Sequence, residues 1–316
     1  MPDHDLVVLG DCNPDLLLGG DVIPRFGQAE QLLDVAEFAI GGSGAIVAAG
    51  AARLGLRVAL IALVGDDALG EIQLAALRAR GVNLDGVVVS PTASTGLSVI
   101  LSRGDDRSIL TKIGAIGALR AESVDRELLR RARHLHISSY YLQVGLHGGL
   151  AALLREARGA GAAVSLDTNW DPAGKWDGGL RSLLPLVDCL LPNGEEAQRI
   201  AGKTGVAAAA RELASRVPTV AVKLGAAGGM ARSGHDSVEC PAPPTEVADT
   251  TGAGDSFDAG FIAAQLRGFE LGRCLELAVA CGSLSTQAHG IESQPTVSEA
   301  ERTIGAAAGL ANRLGG

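Results

Sequence analysis

Short apolar runs alternate with segments of helical period along most of the chain. Leu6-Val7-Val8-Leu9 reads as a buried first strand, 45–54 as a helix of small residues, 58–64 as a strand and 68–80 as a helix. Further strands are expected at 134–138, 163–167, 189–191 and 219–224, and further helices at 148–158, 195–201, 254–267 and 273–289. Strand followed by helix, repeated, is the pattern of βαβ units on a largely parallel sheet. One region breaks it. Residues 96–103 and 107–112 flank Gly104-Asp105-Asp106 and read as a β-hairpin with a three-residue turn. Residues 15–23 and 34–40 supply two more short strands. Four strands from two separated stretches make a small second sheet, suited to a lid over a substrate. The chain thus divides into an α/β core (1–11, 41–92 and 115–316) and a lid (12–40 and 93–114). The alanine run at 207–210 is read as low complexity, and the Ala- and Gly-rich stretch beyond Ala300 as a final helix.

Composition narrows the function classes. With 316 residues the chain can bury a large core, and with only 3% aromatics that core must come from Ala, Val, Leu and Ile. A net charge of -9 and the lack of any Lys/Arg run speak against a nucleic-acid partner. Arg126, Arg130, Arg131 and Arg133 have helical spacing and read as a solvated face. The five cysteines are odd in number, and none pair as Cys-x-x-Cys, so neither a zinc site nor a disulfide framework is indicated. Asp3 and Asp5 stand where a secretory leader carries bases, and no apolar stretch approaches a membrane span. A soluble, cytoplasmic protein without a membrane partner is the expectation.

The chemistry concentrates at Asp249-Thr250-Thr251-Gly252-Ala253-Gly254-Asp255, which runs directly into a helix of small and apolar residues. The first amides of a helix lack intrahelical partners and point outward with the positive end of the helix dipole. Glycines let that backbone approach an anion closely, which suits a phosphoryl group gathering charge during transfer. Asp255, in the first turn, is placed to take the proton of an attacking hydroxyl as the new phosphorus–oxygen bond forms. An isolated Gly-Ala-Gly-Asp would read equally well as a turn followed by an N-terminal helix acid.

The whole chain breaks that tie. The segment 249–262 matches the C-terminal signature of the PfkB, or ribokinase-like, carbohydrate kinases, and Gly41-Gly42-Ser43-Gly44-Ala45-Ile46-Val47-Ala48 resembles the N-terminal one, with Gly55 and Gly65 following. Pro192-Asn193-Gly194-Glu195-Glu196 resembles the family's Asn-x-x-Glu motif. This resemblance, over nearly the full length, implies a three-layer α/β/α core with a β-sheet lid and ATP-dependent transfer to a sugar hydroxyl. It implies Asp255 as base and the amides of Gly252, Ala253 and Gly254 as anion hole. Asn193 and Glu196 would organise Mg2+ and the ATP phosphates, Glu196 through water. Lys223 and Gly225 would lie at the nucleotide turn, although a Lys at a strand end also reads as a solvated charge. Asn13, Asp15, Gly41, Gly42 and Ser43 would surround the sugar, a carboxylate being well matched to a vicinal diol. The resemblance also implies a monovalent-cation site, such as one for K+, near Asp249; independently of it, a lid sheet with one open face favours a homodimer through the lid.

Several features stay open beside this. Asn193 and Glu196 have the spacing of a capping box, and Asn13-Pro14-Asp15 that of an Asx-turn. Ile46 stands where the family usually has Asn, which favours a substrate with an apolar face over ribose. Asp167-Thr168-Asn169 resembles a family segment near the phosphates, with Asp171 where Arg is common. Lys112 is a candidate to meet an acidic sugar. The stretch from Ala197 to Thr204 falls short of a P-loop, no Gly-x-Gly-x-x-Gly follows the first strand, and His134 and His136 lack a third metal ligand. A nucleoside kinase and a non-catalytic sensor are the competing readings. Few aromatics precede residue 34 to stack on a base, Phe26 excepted, and a sensor has no need of Asp255.

Overall fold

The structure is a computed structural model and describes residues 2–103 and 106–314. The strands are β1 (His4–Leu9), β2 (Asn13–Gly19), β3 (Val35–Gly41), β4 (Val58–Gly65), β5 (Asn83–Ser90), β6 (Leu97–Arg103), β7 (Asp106–Lys112), β8 (Ala132–Ile137), β9 (Ala163–Leu166), β10 (Cys189–Leu190), β11 (Thr219–Lys223), β12 (Gly229–Ser233) and β13 (Asp236–Cys240). The helices are α1 (Ser43–Arg53), α2 (Ala68–Ala79), α3 (Arg126–Arg130), α4 (His147–Gly159), α5 (Leu180–Leu183), α6 (Gly194–Ala201), α7 (Val206–Ala214), α8 (Ala253–Leu266), α9 (Leu271–Ser285) and α10 (Val297–Leu314).

Among the described residues, nine strands form one sheet in the order β13-β12-β11-β10-β9-β8-β1-β4-β5, parallel except that β12 pairs antiparallel with both β11 and β13. The central strands are apolar on both faces because both are covered. Leu6 and Val8 of β1 face a core shared with α1, α8 and α9, while Val7 and Leu9 face one shared with α4, α6 and α7. This is the three-layer architecture expected. The α1 and α8 helices pack closely through small residues, and Gln294 ties them by donating to Ile46 O at 3.1 Å and to Ser256 Oγ at 3.2 Å.

A separate sheet has the order β3-β2-β6-β7. Its registers place Asp15 opposite Ser98, and Ser98 opposite Thr111. Strand alternation then puts Arg107, Ile109 and Thr111 on one face and Lys112 on the other. The three-residue turn expected at 104–106 falls largely outside the described residues, but β7 already begins at Asp106. Four expectations need correction. Residues 83–90, 229–233 and 236–240 are strands that were not anticipated, and the alanine run at 207–210 lies inside α7. No described helix is long and apolar enough to cross a membrane.

Candidate active site

Parallel strands of an open sheet deliver their following loops to one edge, where ligands bind. Here that edge receives Asp11 after β1, Asp167 and Asn169 after β9, Asn193 after β10 and Lys223 at the end of β11. A cavity of about 1160 Å³ opens there. Its wall holds Asp15, Gly42 and Ser43 on one side, Gly252, Ala253, Gly254 and Asp255 at the centre, and Asn193, Glu196, Lys223 and Gly225 on the other. Three groups expected at three separate chemical positions therefore share one space. Asn13 and Gly41 are buried directly behind that wall.

Two helix N-termini meet at the cavity, and both begin on a glycine with positive φ. Gly42 (φ 77°) precedes α1 and Gly252 (φ 72°) precedes α8, conformations that any β-carbon would strain. Their first turns differ. The Asp11 carboxylate accepts from Gly44 N at 2.8 Å, so α1 is held by an acid from the core. The N-cap Gly252 offers no side chain to cap α8, and Asp255 lies in its first turn on the cavity wall.

The carboxyl groups here are starved of solvent. Burial, with Asp167 adding to it, pushes Asp255 up to about 7 against the pull of Lys223. Burial likewise lifts Asp15 to about 8, with Asp11 and Asp255 contributing. Asn13 Nδ2 donates to it at 3.4 Å, and the Ser98 hydroxyl is a second partner. Glu196 is pushed to about 7, again by burial first. It does complete a capping box: Asn193 Oδ1 accepts from Glu195 N and Glu196 N at 2.9 Å, and Glu196 Oε2 accepts from Asn193 N at 2.9 Å. A buried carboxylate on the cavity wall, raised by burial and Asp167 against the pull of Lys223, suits a divalent cation.

Lys223 is not a solvated strand-end lysine. Its Nζ donates to Asp167 Oδ2 and to both Asp258 oxygens, each at 3.1 Å, and its side chain is 12% exposed. Lys112 is not on the cavity wall; the cation of the second sheet that is, Arg107, donates to Thr250 Oγ1 at 2.9 Å. Phe26 is fully exposed and away from the cavity, whereas Trp170 lines it, half exposed and edge-on to Trp176 at 4.9 Å. Asp171 holds a loop, accepting from the amides of Ala173, Lys175 and Trp176. Both oxygens of Asp249 are taken, one by Thr251 and one by Gly290 N. His134 and His136 are buried and share Ser165 Oγ as partner, and among the described residues they belong to no cluster of metal-ligating groups.

Sequence reasoning passed over Asp11, Arg107, Trp170 and Asp258. For Asp258 a signal was present, since it follows Asp255 by three residues and so shares its helix face. Arg107 could have been found from the two-residue period that links it to Thr111.

Comparison with known proteins agrees with this geometry. The family description "pfkB family carbohydrate kinase" matches residues 3–297. An ATP-dependent ribose-1-phosphate kinase of Halopiger xanaduensis is 32% identical over 288 residues, covering 91% of this chain and 93% of that one. A nucleoside kinase of Methanothermobacter thermautotrophicus is 27% identical, with 94% of both chains covered. Among solved structures, a putative ribokinase II of E. coli in complex with ATP and Mg2+ superimposes with a TM-score of 0.85 at 26% identity, covering 96% of this chain and 99% of that one. The match over almost the entire chain, with a nine-stranded sheet, a smaller separate sheet and a glycine-opened helix start at the cavity, settles the family: this protein belongs to the pfkB family of carbohydrate kinases.

Proposed function

We propose that this kinase transfers the γ-phosphoryl group of ATP to a hydroxyl of a sugar or sugar-like molecule, with Asp255 as the base. The observation that carries the reading is the placement of Asp255 in the uncapped first turn of α8, on a wall shared with Asp15. The Asp15 carboxyl takes hydrogen bonds from acceptor hydroxyls and fixes which one faces Asp255. Asp255 accepts that hydroxyl's proton late, as the bond to phosphorus forms. The amides of Gly252, Ala253 and Gly254 receive the charge building on the transferred group.

Asn193 and Glu196 would hold Mg2+, Glu196 through water; the ion supplies charge neutralisation on the ATP phosphates. A K+ ion beside Asp249 would draw on main-chain carbonyls, because that carboxylate is already engaged by Thr251 and Gly290. Gly225 and Lys223 border the nucleotide end. Residues 12–40 and 93–114 act as a lid, and the Arg107–Thr250 hydrogen bond links it to the loop of the anion hole. Keeping water from the phosphoryl group is the lid's chemical purpose. Its exposed Phe38 and Leu110 offer an apolar surface for pairing with a second copy.

A nucleoside acceptor is the second reading, and Trp170 favours it by offering an aromatic face on the cavity wall. A panel of sugars, sugar phosphates, sugar acids and nucleosides, assayed for ADP release with MgATP, separates the two. Turnover of at least one sugar or sugar phosphate is expected. Turnover confined to nucleosides would favour the second reading, and none across the panel would favour a sensor.

A further inference from the structure

Beneath the anion hole lies a cluster that general phosphoryl transfer does not require. Lys223 runs under the first turn of α8, so close that a β-carbon on Gly254 would stand 3.5 Å from its Cδ and 3.7 Å from Nζ. Its ammonium bridges Asp167 and Asp258, whose side chains are 6% and 0% exposed. One carboxylate oxygen from each of Asp167, Asp255 and Asp258 lies within 4.8 Å of the other two. Three acids that close resemble a cation site, yet an ammonium already bridges two of them.

Charge balance follows from this geometry. One buried ammonium can neutralise one buried carboxylate, and a second anion at zero exposure without its own cation is costly. Burial pushes the Asp258 carboxyl well above the usual carboxylate range. Burial opposes the charge of Asp167 too, but Lys223 draws this carboxyl below its ordinary value. Asp255 thus faces a negative charge at Asp167 and a positive charge at Lys223, both at the floor of the cavity.

We propose that Lys223 and Asp167 are positioning residues, a built-in ion pair under the anion hole that sets the proton affinity of Asp255. The proposal rests on Asp255 being the base. The other groups around Asp255 are Asp11 after β1, Asp15 on β2, the Ser43 hydroxyl at the start of α1, Glu196 on α6 and Asp258 on its own helix. None of them is substituted in the variants below.

The test is the acidic limb of the kcat/KM profile in Lys223→Met, Asp167→Asn and the double variant. A unit charge about 5 Å away, at an effective dielectric of about 20, moves a carboxyl by roughly two to two and a half pH units. Losing Lys223 should move the limb up by that amount, and losing the Asp167 charge should move it down. The double variant should return to within about half a unit of the wild type. Movement in the same direction in both single variants, or no movement, overturns the proposal, because loss of packing alone does not produce opposite shifts. Should Lys223→Met fail to fold, Asp167→Asn retains a group able to accept from Lys223 and must still move the limb down; an unmoved limb there overturns the proposal by itself. A wild type without an acidic limb would instead sink the assignment of Asp255 as base, so the two failures are distinguishable.

Discussion

Gly41→Ala probes the acceptor side without touching any group that contacts ATP. Gly41 closes β3 opposite Asn13, and its φ is not positive, so alanine brings no backbone strain there. What it brings is a methyl group aimed at the Asp15 carboxyl, 2.6 Å from Oδ2 and closer still to Cγ and Oδ1. Ordinary carbon contacts need about 3.5 Å, so the carboxyl must swing away by roughly an ångström. Asp15 is 5% exposed and lines the cavity, so this swing takes its carboxyl away from the position it holds on the cavity wall. At a pH above about 8, where Asp15 is ionised, a hydrogen bond to it contributes about 1.5–3 kcal/mol. Losing one of the two bonds to the acceptor costs roughly 2 kcal/mol, and losing both roughly 4. At about 1.4 kcal/mol per decade, kcat/KM for the acceptor should fall between about 30-fold and 1000-fold. The KM for ATP should stay within about threefold, since the nucleotide end is formed by other elements. Initial rates with each substrate varied in turn measure both. A kcat/KM within about threefold of wild type would refute the placement of the acceptor against Asp15.

Two further outcomes follow from the geometry. Because burial lifts Asp255 to about 7, the base is protonated below that pH and cannot accept a proton, so kcat/KM should drop about tenfold per unit on the acid side. A profile flat from pH 5.5 to 8 would contradict this. The exposed Phe38 and Leu110 on the second sheet predict a homodimer, and Phe38→Ser with Leu110→Ser should shift sedimentation toward the monomer. A wild-type chain that sediments as a monomer at tens of micromolar removes that reading.

The sequence exposed the central strands and the motif-bearing helices well, for physical reasons. Strands such as β1 and β4 are buried on both faces and read as continuous apolar runs, and α8 is announced by its glycines. What stayed hidden lies at the margins of the sheet. The β5 strand is an edge strand interrupted by Asp85 and Gly86, and that glycine is needed because a β-carbon would run into Leu128 and Ile61. Gly229 and Ala231 give β12 little intrinsic strand preference, and it pairs because β11 and β13 flank it. The alanines of α7 carry no apolar stripe of their own; Ala209, Ala210 and Leu213 become a buried face only once packed. In the site, the individual positions on the cavity wall were legible because their backbone requirements are local. The Lys223–Asp167–Asp258 cluster was not, since its members are 56 and 35 residues apart and only the fold brings them together.

The most direct test of the central claim is the turnover of Asp255→Asn with MgATP and the best acceptor from the panel. The amide keeps the shape of the first turn of α8 but cannot accept the hydroxyl proton, so kcat should fall by roughly two to four orders of magnitude while calorimetric ATP affinity stays within about threefold. A variant that folds, binds ATP and keeps turnover within about fivefold of wild type would show that the proton leaves by another route.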